Sequence, residues 1–88
     1  MEEVRMISKS ITVVEKKDSD RTIPMLVQAA SRYQSRICFT RDEKTANVKS
    51  IMGMLNFRLI PGTSIDVEID GEDEAEAMQN IEEFLTHS

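Results

Sequence analysis

Ser50, at the head of the segment VKSIMGMLNF (residues 48–57), is the residue best placed to do chemistry. Its hydroxyl precedes Ile51, Met52, Met54, Leu55 and Phe57, with Gly53 among them. A serine there acts first as a helix N-cap, its oxygen accepting a backbone N–H of the next turn, which contributes about 1 kcal/mol. A phosphate on that oxygen would meet free N–H groups and the positive end of the helix dipole. Its charge of roughly −1.5 to −2 would be tolerated there. Ile51, Met52, Met54 and Leu55 exceed what two helical turns bury on one face, and an exposed, methionine-containing patch marks a docking surface. Two accounts of Ser50 therefore stand side by side: a plain cap, or a cap that is also a modifiable switch beside a binding patch.

No other residue group makes a catalytic constellation. The single histidine, His87, is second from last in the sequence, where chain ends fray. Cys38 has no histidine near it in sequence to lower its pKa, so a nucleophilic role is not expected. One cysteine gives neither a disulfide nor a metal pair. The three glycines form no phosphate loop. Lys16, Lys17 and Arg21 could meet an anion near a helix start, although a solvated loop is the better reading of them. The expectation is a protein that is not an enzyme and needs no cofactor or metal.

Charge and length narrow the class further. The formal net charge of −5 and the scattered basic residues disfavour direct nucleic-acid binding. The acids gather towards the C-terminal end, from Asp66 to Glu83, but apolar residues interrupt them at helical spacing, as on a solvated helix face. No window suits a membrane span or a signal peptide, so a cytoplasmic location is expected. Eighty-eight residues suffice for one small domain, 1–88, with a modest core.

The elements that must position Ser50 follow from periodicity. VRMISKSITVVE (4–15) is β-rich and partly alternating, a first strand. Thr22 and Pro24 suit a helix start after the polar KKDSD. Ile23, Leu26, Val27, Ala30 and Tyr33 continue that helix at its apolar spacing. RICFTR and TANV form a hairpin around RDEK, with Ile37, Phe39, Ala46 and Val48 inward and Cys38 outward. Ser50 to Phe57 is a short helix. SIDVEID (64–70) is the cleanest strand, ending at Gly71. The last helix carries acids in its first turn and buries Ala77, Met78, Ile81, Phe84 and Leu85. The order β-α-β-β-α-β-α, with one apolar face per strand, predicts an α+β open-faced sandwich: an antiparallel sheet with helices on one side.

At these residues a resemblance enters. VKSIMGMLNF resembles the regulatory-serine segment of HPr, the phosphocarrier of the bacterial sugar phosphotransferase system. LVQAASRY (26–33) resembles the first helix of that family, and PGTSIDVEIDGEDEAEAM (61–78) its last strand and helix. From Tyr33 through Gly53 the register is free of gaps, and about two thirds of the chain is covered. The resemblance implies a four-stranded antiparallel sheet of order 1-4-2-3 covered by helices on one face.

The departure lies in the loop KKDSDRTIPM (16–25). The family carries phosphate on a loop histidine that caps the first helix and is followed by a small residue, arginine and proline. Counting back from LVQAAS puts Ser19 at the approximate position of that histidine and Arg21 at the arginine, while Thr22 replaces the proline. A serine without a base lacks the neutral nitrogen nucleophile that histidine offers near pH 7. The resemblance is thus to the catabolite-repression HPr-like paralogues, which also lack the histidine. It implies phosphorylation of Ser50 by HPr kinase/phosphorylase and binding to a LacI-type catabolite control repressor. Arg21 and the exposed part of Ile51, Met52, Met54 and Leu55 would be the docking face. The alternatives are a diverged phosphocarrier with an atypical loop, using an acceptor such as Ser19, and an HPr-like binding module that is never phosphorylated.

Overall fold

The computed structural model describes residues 6–14 and 19–86, and of residues 6 and 19–21 the backbone alone. Its elements run β1 (Met6–Thr12), α1 (Ser19–Ala30), β2 (Arg36–Arg41), β3 (Lys44–Asn47), α2 (Ile51–Phe57), β4 (Ser64–Asp70) and α3 (Glu74–Thr86). The four strands make one antiparallel sheet of order β1-β4-β2-β3.

Register carries the apolar alternation across the sheet. Ile7 faces Ile69 and Ile69 faces Ile37; Val67 faces Phe39, which faces Ala46; Ile11 faces Ile65. These rows share one sheet face, and all but the partly buried Ile7 are buried. Leu26 and Ala30 of α1, Met54 and Phe57 of α2, and Ala77, Met78, Ile81 and Leu85 of α3 close over that face. The opposite rows are polar: Ser8, Glu68, Cys38 and Asn47, then Ser10, Asp66, Thr40 and Thr45. A period-two pattern thus yields one dry and one wet face, as an open-faced sandwich requires. Lys9, on the helix side opposite Val67, reaches Glu82 of α3 at 2.7 Å. Both side chains are partly in water, so this pair adds at most about 1 kcal/mol.

The first helix departs from expectation at both ends. It starts at Ser19, ahead of Thr22 and Pro24. Thr22 is buried within it rather than capping it. Pro24 forgoes the bond to the carbonyl of residue 20 and its ring crowds that oxygen, a cost that falls on the first turn of the helix, and one turn precedes the ring. At the other end the helix stops at Ala30, and Tyr33 folds back through its N–H to the Ala30 carbonyl at 3.2 Å.

The β2–β3 hairpin closes without glycine. Asp42 and Glu43 both take left-handed backbone angles, φ 49° and 69°. Two such residues in succession are what a two-residue hairpin of primed type demands, and glutamate suits the position poorly. Glu43→Gly should therefore stabilise the protein. Glycine's greater loss of chain entropy offsets part of the relief, leaving a gain of up to about 1 kcal/mol. A urea midpoint that falls on making this change would contradict the strain.

Candidate functional site

Ser50 sits between β3 and α2 in an extended conformation, φ −105° and ψ 114°, as an N-cap should. Its Oγ accepts the Gly53 N–H at 3.1 Å, and its carbonyl accepts the Met54 N–H at 3.0 Å. Asn47 prepares the corner. Its side-chain oxygen accepts the Lys49 N–H at 3.0 Å, and its carbonyl accepts the Ser50 N–H at 2.9 Å. An asparagine that bonds the backbone two residues on makes a turn without help. The Lys49 ammonium donates to the Tyr33 carbonyl at 2.6 Å, tying the corner to the end of α1. The Ser50 hydroxyl is only partly buried. A Cβ on Gly53 would stand 3.4 Å from it, an ordinary contact, so the glycine leaves space beside the oxygen.

Two turns of helix then sort the apolar residues. Met54 and Phe57, three apart, point into the core. Met52 is 69% exposed, Leu55 54% and Ile51 39%. Met54 is fully buried, so it belongs to the core and not to the docking face on which the sequence grouped it. Five of the seven residues are apolar and spread round the helix, so its pattern does not show which methionine faces in, and only packing against the sheet decides it. An open groove of about 350 Å³ runs beside the patch between β3 and α2, lined by Lys44, Thr45, Gly53, Asn56 and Phe57.

Ser19 and Arg21 lie in the first turn of α1, and their side chains fall outside the described residues, as do His87 and the loop at 15–18. α1 packs against α2, so both candidate segments belong to one side of the sheet. Cys38 is on the open face, as its alternation requires, and is partly exposed. Burial pushes its thiol above the ordinary value; Arg36 pulls the other way and Glu68 adds to the rise. A raised thiol is little ionised at neutral pH, which disfavours a nucleophilic role. Among the described residues no group of three metal-ligating side chains comes together, and no helix is long and apolar enough to cross a membrane.

Three residues that hold the site were not visible as site residues in the sequence: Asn47, Lys49 and Arg41, whose guanidinium donates to the Phe57 and Arg58 carbonyls at 2.8 Å each. The first had a local signal, an asparagine two residues before the amide it binds. The others reach partners 16 or more residues away, and no periodicity reports that.

Comparison with known proteins agrees with this geometry. The sequence family described as "PTS HPr component phosphorylation site" matches residues 7–87. The phosphocarrier protein HPr of Neisseria meningitidis is 35% identical over 81 residues, covering 91% of each chain. The HPr-like protein Crh of Halalkalibacterium halodurans is also 35% identical, covering 91% of this chain and 96% of its own. Among solved structures, HPr of Bacillus anthracis superposes with a TM-score of 0.86 at 30% identity, covering 92% of this chain and 98% of that one.

Proposed function

The chain belongs to the HPr family of phosphocarrier and HPr-like proteins, and from that premise we propose that it is a regulatory member switched by phosphorylation at Ser50. It does not catalyse a reaction of its own. HPr kinase/phosphorylase modifies Ser50, and the phosphorylated protein binds a LacI-type catabolite control repressor in the cytoplasm. The observation that carries this reading is the pairing of a partly exposed N-cap hydroxyl with Ile51, Met52 and Leu55 on the following helix. The cap geometry accommodates the product, since the Gly53 N–H already points at Oγ. The dipole favours negative charge at that end. Arg21, in the first turn of α1, is the cation that this reading adds to the docking face.

The phosphocarrier role is set aside because the chain's one histidine is His87, and residues 16–25 contain none. A second reading keeps the carrier role with Ser19 as acceptor. It is favoured by the phosphocarrier relatives and by the start of α1 at Ser19, where a family carrier residue would cap the helix. Intact-mass measurement separates the two. Incubation with HPr kinase and ATP should add one phosphate that is stable to acid and maps to Ser50. Incubation with Enzyme I and phosphoenolpyruvate should add none. Any phosphate gained in the second reaction, acid-stable if carried on Ser19 and acid-labile only if on the imidazole of His87, would sink the regulatory reading and reinstate a carrier. Absence of any modification in either reaction would leave an HPr-like module that binds without a switch.

A further inference from the structure

α2 has seven residues, well under the roughly 12–15 at which an isolated helix holds itself together in water. Its position depends on what grips it. Ser50 grips the N-terminal end, Met54 anchors the middle, and the ring of Phe57, the last helical residue, is buried in the core. At the C-terminal end the last carbonyls lack intrahelical partners. Arg41, the final residue of β2, supplies donors for the last helical carbonyl and for that of the C-cap residue. One guanidinium nitrogen donates to the Phe57 carbonyl and the other to the Arg58 carbonyl, each at 2.8 Å. The guanidinium carbon also lies 4.5 Å from the centre of the Phe57 ring, which in turn leans on Phe39 at 6.2 Å. A cation at a helix C-terminus is favourable in itself, and the planar fork fits two adjacent carbonyls as an ammonium cannot. The chain is held left-handed at Arg58, φ 64°, directly after the helix, and at Asp42 and Glu43, directly after Arg41. Strained backbone of this kind persists where surrounding bonds over-determine it.

We propose that Arg41 is the positioning residue of the docking helix: its fork latches the C-terminal end of α2 and holds Met52 and Leu55 in the arrangement a partner reads. This rests on the docking reading of α2 given above. Opening the latch frees the last turn while the sheet stays folded, because the remaining grip on α2 is local and the ladder of β4 is not. The partner then binds only the closed fraction, and its apparent affinity falls in proportion.

The test uses Arg41→Met, which keeps apolar length and removes the donors, and Arg41→Lys, which keeps the charge and loses the fork. Hydrogen exchange is followed at the Phe57 and Arg58 amides of the helix end and at Val67 and Ile69 in central β4. Hydrogen bonds from a charged group are strong enough that Arg41→Met should speed exchange at the helix end by about 30-fold or more. The β4 amides should hold their rates, and Arg41→Lys should fall between. Binding of the Ser50-phosphorylated Arg41→Met protein to the repressor should weaken by the inverse of the closed fraction that exchange reports, about threefold where the helix end is open two thirds of the time. Unchanged exchange at the helix end, or equal acceleration in β4, overturns the latch. A loosened helix with unaltered affinity overturns its role in docking. If the wild-type phosphoprotein fails to bind, the docking reading is what falls, and the exchange ratio decides the latch by itself.

Discussion

Ser50→Ala should abolish phosphate-dependent binding to the repressor while costing only about 1 kcal/mol of stability, the typical loss of a serine cap. The two effects differ in size because they belong to different links. The cap bond from Gly53 to Oγ is one hydrogen bond at 3.1 Å on a partly exposed oxygen. Met54 and Phe57 remain buried without it, so the helix should persist. The phosphate, by contrast, adds nearly two charges and three acceptor oxygens at the point where Ile51 and Met52 emerge. Calorimetric titration of the repressor with kinase-treated protein should show binding for wild type and none for Ser50→Ala. Ser50→Asp should keep the cap yet bind weakly, having one charge and fewer oxygens. Equal affinity of unmodified protein, Ser50→Ala and phosphoprotein would remove the switch and leave a constitutive module.

How far the sequence could be read depended on where each element's information is stored. β4 was legible to the residue because Ile65, Val67 and Ile69 alternate with polar neighbours over its whole length. The short helix and its cap were legible because Ser50 and the run after it are local signals. The family resemblance agreed with both and fixed the strand order. The start of α1 was misread because proline suggested a first position, whereas helix geometry tolerates one turn ahead of Pro24. The facing of Met54 was not legible, since apolar residues stand on every side of this short helix. The hairpin was legible from its two strands, but its tight two-residue turn was not, because no glycine announces it and Glu43 gives no left-handed signal. Arg41 was illegible for a different reason. Its targets lie 16 and 17 residues on, and only the packing of α2 beside β3 brings them within reach.

The largest loss of stability is expected from a glycine remote from the switch. Gly71 follows β4, and a Cβ there would stand 2.5 Å from the Cα of Ser35 and closer still to its Oγ. Ser35 is fully buried just before β2, where Arg36 pairs with Asp70, so the two chains cross at the end of one ladder. The crossing is bonded on both sides. Asp73 accepts the Gln34 and Ser35 N–H groups at 2.9 and 3.0 Å and also the Ser35 hydroxyl. The Ser35 hydroxyl first, with these amides, holds the Asp73 carboxyl below its ordinary range. The Gly71 N–H donates to the Glu74 side chain at 3.2 Å, in the first turn of α3. Gly71→Ala must push these chains apart, and backbone gives way less readily than a side chain. A loss of about 3 kcal/mol or more is expected, a large part of the stability of a small domain. Gly62→Ala is the control: its φ of 84° is left-handed, but nothing lies within 4 Å of the added carbon, so only about 1–2 kcal/mol should be lost. Urea unfolding of the two variants should rank them in that order. Trimming the neighbour in Ser35→Gly/Gly71→Ala should not restore stability, because the Cα at 2.5 Å remains. Recovery in that double variant would show that the Ser35 side chain, and not the close approach of the two backbones, is what reserves the position for glycine.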